Sequence, residues 1–240
     1  MEDVVRVSVD GPIAVVTLNR PKAFNAFNLE MMGELADRLI GVGADDAVRG
    51  VVITGAGKAF CGGGDLKYVL EFPGGVYAAF MALAAQFNRA VTEIRNMGKP
   101  VVAAVNGVAA GGGFSLALAC DFRVMGASAR LIQGYRSRAL EIATFDKPIG
   151  AQQALSWGLA TKVAEDGGVV AGATELAAEA AARPRRSFAW SKRLVNESFD
   201  TPFSTHIERE REGLAVCGSS EDGIEGLRSF VEKRAPKFKL

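Results

Sequence analysis

The chain has 240 residues, of which 49% are hydrophobic and 23% charged, with a formal net charge of +1; these are values of an ordinary globular protein with room for a sizeable core. No block of one sign runs along it, which argues against nucleic acid or a membrane surface as partner, and no apolar stretch reaches the length of a bilayer span. The N-terminal MEDVVRVSVD lacks a signal pattern. Cys61, Cys120 and Cys217 are odd in number and widely spaced, and His206 is the single histidine. A metal site is therefore not expected, and free thiols in a reducing cytoplasm are.

Arg6–Val9 and Ile13–Leu18 flank Asp10-Gly11 and predict a hairpin. Asn28–Ile40 predicts an amphipathic helix capped by Asn28, with Met31, Leu35 and Leu39 on one face. Gly50–Thr54 reads as a short apolar strand running into a glycine-rich loop, Gly55 to Asp65. Val76–Asn96 predicts a long helix ending near Gly98 and Pro100. Val101–Val105 is a buried strand, followed by Asn106-Gly107-Val108-Ala109-Ala110-Gly111-Gly112-Gly113 and a helix from about Phe114; Phe122–Met125 is a further strand. From Ala139 onward the chain reads almost wholly helical, punctuated by Pro184 and Pro202. Two strand–glycine loop–helix units predict a layered α/β core with repeated crossovers. The core is expected over residues 1–180, with a helical lid or assembly region over 181–240.

The glycine loops do not fit the familiar phosphate and nucleophile motifs. Gly107 to Gly112 has the first spacing of a P-loop, but Gly113 and Phe114 stand where Lys and Ser/Thr are needed. Gly55-Ala56-Gly57 is followed by Lys58-Ala59-Phe60, so GxGxxG fails as well. Gly113-Phe114-Ser115-Leu116-Ala117 misses a nucleophile elbow at its last position. Asp146 or Asp200 and then His206 would complete a triad order, but the extra glycines separate Ser115 from the strand. What remains is a pair of loops that present bare backbone N–H groups. Gly112 and Gly113 open a helix, where such groups have no partner within it, and Gly64 opens the Asp65-Leu66-Lys67 segment in the same way. Two converging N–H donors would make an oxyanion hole. Taken singly, either loop is equally explained by tight helix–strand packing.

Several stretches together resemble the crotonase, or enoyl-CoA hydratase/isomerase, superfamily. They are Leu18-Asn19-Arg20-Pro21 with Asn25-Ala26; Val52-Ile53-Thr54-Gly55; Ala59-Phe60-Cys61-Gly62-Gly63-Gly64-Asp65-Leu66; Lys99 to Gly107; Ala110 to Gly113; Ala119-Cys120-Asp121; Gly158-Leu159 with Val163; and the tail Glu225 to Arg234. The resemblance implies a spiral of ββα units, a homotrimer or hexamer, and an acyl-CoA thioester as substrate, with coenzyme A as part of that substrate and no other cofactor. It implies the N–H groups of Gly64 and Gly112 as oxyanion donors, flanked by Gly63, Gly111 and Ser115. The CoA moiety would lie against Ala23, Ala26 and the turn Asp65, Leu66 and Lys67. Phe230 and Lys233 would lean in from the C-terminal helix, of the same or a neighbouring subunit.

The pattern is broken twice. Hydratases of the family carry a first glutamate two residues after the triple glycine, where this chain has Ser115. The stretch that carries their second carboxylate is missing between Gln133 and Gly134. A segment absent from the sequence as written is favoured over a true deletion, since clean loss of a pocket wall would expose core. The motif around Gly111–Asp121 is similar to that of isomerases of aromatic-acid degradation, which use one aspartate from the missing stretch. Isomerisation needs a single carboxylate, so isomerase is expected over hydratase, with a non-catalytic acyl-CoA-binding protein as the alternative from another class. Asp65 is read as a helix cap, His206 as an incidental helix residue, and Glu141 and Asp146 as unplaced.

Overall fold

The computed structural model describes residues 3–132 and 147–239. Strands β1 (Val5–Asp10) and β2 (Ile13–Leu18) form the expected antiparallel hairpin, and β3 (Gly50–Gly55), β5 (Val101–Val105), β7 (Phe122–Gly126) and β10 (Lys162–Ala164) extend it in parallel. A second sheet takes β4 (Ala59–Cys61), β6 (Val108–Ala110), β8 (Arg130–Ile132) and β9 (Ile149–Gly150) in that order. Each turn of the chain thus gives one strand to each sheet, the spiral of ββα units that the resemblance implies.

Helix α1 (Leu29–Ala44) is capped by Asn28, whose Oδ1 accepts from the Met31 N–H at 3.0 Å. Then come α2 (Leu66–Leu70), α3 (Gly75–Asn96), α4 (Gly112–Ala119), α5 (Ala151–Ser156), α6 (Val169–Ala181), α7 (Arg185–Glu197), α8 (Phe203–Gly218) and α9 (Glu221–Val231). The large sheet is covered on both faces, which is why its parallel strands read as unbroken apolar runs. Alternate residues go to opposite sides: Val51, Ile53, Val101, Ala103 and Val105 join the core containing α1 and α3, while Val52, Val102 and Ala104 join Ala173 and Ala177 of α6.

Two expectations are corrected. The glycine loops do not follow β3 and β5 directly: three-residue strands, β4 and β6, intervene and belong to the second sheet. The chain after residue 139 is not almost wholly helical either, because β9 and β10 each complete a sheet edge. Segments of two or three residues are too short to display a period of two. Among the described residues no helix is long and apolar enough to cross a membrane. The Gln133–Gly134 junction, Glu141 and Asp146 lie outside the described residues.

Candidate active site

Each glycine loop leaves a strand of the small sheet and enters a helix. The first, Gly62 to Asp65, runs from β4 into α2; the second, at Gly111, runs from β6 into α4. They lie against one another: a methyl group on Gly63 would sit 2.9 Å from the Ala110 carbonyl oxygen and 3.6 Å from the Gly112 nitrogen. Gly63 and Gly111 have φ of +93° and +49°, values that glycine adopts without steric cost. Gly113 is demanded by close approach, since a methyl there would fall 2.3 Å from the Cys61 carbonyl oxygen. Close approach therefore accounts for Gly63 and Gly113, and the left-handed backbone for Gly63 and Gly111.

Gly64 is different. A methyl on it would meet nothing within 4 Å, so no neighbour excludes a side chain. Gly64 forms an isolated parallel bridge with Phe27, in which the Phe27 N–H donates to the Gly63 carbonyl at 2.7 Å and the Asp65 N–H donates to the Phe27 carbonyl at 2.9 Å. In a parallel bridge the bracketed residue turns its own N–H to the other side. Among the described residues neither the Gly64 nor the Gly112 N–H finds an acceptor, whereas the Gly111 N–H donates to Ile132 and the Ser115 N–H to Gly111, both at 3.1 Å. Gly112 is the first residue of α4, so the helix dipole adds positive potential beside its free N–H.

Asp65 is the helix cap expected of it, accepting from the Tyr68 N–H at 3.2 Å and, through its other oxygen, from Arg20 Nη2 at 2.9 Å. Burial pushes its carboxyl upward, but the Arg20 and Tyr68 hydrogen bonds outweigh this and hold it below the usual range. Such a carboxylate is a poor base. Residues 55–67 and 106–119 contain no other acidic side chain. Ser115 Oγ donates back to the Gly111 carbonyl at 3.3 Å, a bond within its own helix turn. The candidate partner His206 lies on α8, its Nδ1 buried without a partner among the described residues. Burial pushes the Cys61 thiol up to about 12, so it stays protonated, and its sulfur accepts from the Gly63 N–H at 3.4 Å.

The segment Arg20 to Phe27, which contains Ala23 and Ala26, meets the first loop through Phe24, whose carbonyl accepts from the Gly62 N–H at 2.8 Å, and through the Phe27 bridge. Phe24 and Asn25 are left-handed. Buried Asn25 compensates by accepting from the Arg20 N–H and donating to the Ala56 and Ala59 carbonyls at 3.0 and 2.8 Å. Arg20 also donates to the Ala26 carbonyl, tying this segment to Asp65. Leu66 and Lys67 are exposed on the first turn of α2. Phe230, 85% exposed, and Lys233 lie at the end of α9. The start of that helix shares a hollow with Gly98 and Arg185, at the strand ends opposite the glycine loops. The sequence motifs pointed to Arg20 and Asn25 without their roles, and Phe27 was not singled out; its only signal was its place directly after Asn25-Ala26.

The model of the enoyl-CoA hydratase/isomerase family matches residues 9–136 and 133–240. The chain is 32% identical to 1,2-epoxyphenylacetyl-CoA isomerase of Escherichia coli (strain K12), covering 99% of each chain. It is 31% identical to crotonyl-CoA hydratase of Syntrophomonas wolfei, covering 94% of each. The solved structure of an enoyl-CoA hydratase from Polaromonas sp. JS666 superposes with a TM-score of 0.89 at 30% identity, covering 98% of this chain and 99% of that one. The Escherichia coli alignment runs to 259 positions but takes in about 238 residues of this chain (99% of 240), which leaves about 21 positions without a counterpart. The family match divides at 133–136, where the sequence pattern breaks. Matched along nearly its whole length in sequence and in the winding of its strands, the chain belongs to the enoyl-CoA hydratase/isomerase family and has the crotonase fold.

Proposed function

We propose that the chain binds an acyl-CoA thioester with the thioester oxygen between the N–H groups of Gly64 and Gly112, and that it shifts a double bond in the acyl chain. The observation that carries this reading is a pair of N–H groups without acceptors among the described residues, on two loops in contact, one of them on a glycine whose side-chain position is open. Removing the proton next to a thioester carbonyl moves negative charge onto its oxygen. Two preorganised donors lower that barrier, each by about 2.7–4 kcal/mol in comparable sites. Ala23, Ala26, Gly63, Gly111 and the Asp65–Lys67 turn would line the CoA and acyl moieties, with Phe230 and Lys233 supplied through a trimeric or hexameric assembly. Coenzyme A is part of the substrate, and the reaction as proposed asks for no further cofactor.

Isomerisation is favoured over hydration because Ser115 stands where hydratases of the family carry a glutamate that handles water, while moving a proton between carbons takes one acid–base group. Asp65 is not that group, being held ionised by Arg20. A second reading, acyl-CoA binding without turnover, is favoured by the absence of another carboxylate on the two loops, and would gain further if the gap at 133–136 were a true deletion. A panel of enoyl-CoA thioesters followed by chromatography and calorimetry tests both. Double-bond migration supports the isomerase, and a hydroxyacyl product overturns it in favour of a hydratase. Heat of binding with no product supports the second reading. Sedimentation as a monomer would remove the assembly.

A further inference from the structure

Phe27 touches both loops that carry the open N–H groups. Its backbone brackets Gly64, donating to the Gly63 carbonyl at 2.7 Å and accepting from the Asp65 N–H at 2.9 Å. Its ring is buried, and a methyl on Gly112 would lie 3.2 Å from ring carbons Cδ2 and Cε2. One residue therefore holds the first donor's peptide by main-chain bonds and sets its side chain against the space where a side chain of the second donor would begin. Phe87 of α3 is a neighbour of the ring in the same core, with centroids 6.0 Å apart and planes at 45°, and no atom of it comes within 4 Å of a methyl on Gly112. The loops themselves meet across Gly63 and Gly112, which have no side chains to set a distance.

We infer that Phe27 is a positioning residue whose ring sets the separation of the Gly64 and Gly112 N–H groups; this rests on the thioester site proposed above. An oxygen shared by two donors must lie about 2.7–3.1 Å from each, so a small change in loop separation lengthens one of the two bonds. Buried aromatic rings suit this task because close packing gives them one position. Phe27→Leu removes the spacer and leaves the main-chain bridge intact. Phe87→Leu removes an equal volume from the same core without touching Gly112, and serves as the control for loss of packing.

The experiment follows the Gly64 and Gly112 amide resonances in the full-length protein and its two leucine variants, with and without acetoacetyl-CoA, a thioester that enolises readily. Turnover is measured on the same samples. Phe27→Leu is expected to shift both amides in the free protein, and acetoacetyl-CoA to move both in the wild type but one in the variant. Its kcat for double-bond migration should fall about tenfold to a hundredfold with KM within about twofold, the mark of an interaction made in the transition state. Phe87→Leu should leave kcat, KM and both amides close to wild type. Gly112→Ala should be less harmful in the Phe27→Leu background than alone, since the methyl then has room. Identical behaviour of the two leucine variants, or an unmoved Gly112 amide in Phe27→Leu, overturns the inference. Wild-type amides indifferent to acetoacetyl-CoA, with both still displaced by Phe27→Leu, would support the spacing and overturn the thioester site.

Discussion

Just before β5 begins, Lys99 is 1% exposed, and its ammonium donates to the Val42 and Asp45 carbonyls at 2.7 and 2.6 Å. Beside it, Lys192 of α7 pairs with Asp121 at 2.8 Å and donates to the Lys99 carbonyl, while Asp121 also accepts from the Val101 N–H. Beyond the other end of the same strand, Gly64 and Gly112 hold N–H groups without acceptors among the described residues. The first end places full charges in a dry interior, where every one must be matched. Burial pushes Asp121 up and Lys192 down more strongly than their attraction restores them. The second end leaves neutral amides open, which costs little while water reaches them. One end closes the fold; the other leaves two amides open, where the proposed thioester oxygen would gain its charge.

Lys192→Met strikes the closed end hardest. It leaves Asp121 buried without its partner and is expected to cost about 3–5 kcal/mol in denaturant unfolding. The loss should shrink as pH falls from neutral toward the ordinary carboxylate range. A carboxyl whose native pKa is raised binds more protons folded than unfolded, so stability rises as pH drops. A loss independent of pH would mean that Asp121 finds another cation.

At the open end, Gly64→Ala keeps the backbone N–H but projects a methyl into open space; by holding the thioester oxygen away from that donor it is expected to lower turnover about 10²–10³-fold, the scale of losing one oxyanion donor. Its unfolding free energy should stay within about 0.5 kcal/mol of wild type. Full activity would show that Gly64 does not face the substrate. Gly113→Ala, the same change in the first turn of α4, drives a methyl against the Cys61 carbonyl and should cost about 1–3 kcal/mol of stability by urea titration. Equal stability of the two variants would erase the distinction between a glycine kept for packing and one kept for access.

Asp65→Asn preserves a cap for Tyr68 but removes the charge that Arg20 holds, with an expected cost of about 0.5–1 kcal/mol at neutral pH. Because the native carboxyl is held low, the wild-type contribution is present above about pH 3.9, the ordinary aspartate value. It disappears as pH falls through the native value, so wild type and variant should converge in acid. The smallest effect is reserved for Ser115→Ala, within about 0.5 kcal/mol in stability and about twofold in turnover. A large loss of turnover, or labelling of Ser115 by a fluorophosphonate, would give that hydroxyl a chemical role.

The hairpin, the Asn28 cap and the apolar strands were legible because each rests on a local rule: a turn dipeptide, a capping side chain, or a run buried on both faces. Helix α4 was expected from Phe114 and starts at Gly112, since glycine carries no helical signal of its own. Strands β4 and β6 were not visible, being three residues long and defined by their neighbours. The Lys99, Lys192 and Asp121 cluster was also out of reach. Its members are separated by up to 93 positions, and charged residues carry no mark in sequence that they will be buried.

By itself the sequence determined the family, through motifs spread along the chain, and marked the two loops, through glycines that include Gly63 and Gly111 with φ values few other residues adopt. The tertiary structure decided which of those glycines serve packing and which leave an amide open, because that depends on atoms brought from Phe27, Cys61 and Ala110. It also decided that Asp65 is occupied by Arg20, forty-five residues earlier, since a carboxylate's availability follows from the partners that the fold sets beside it.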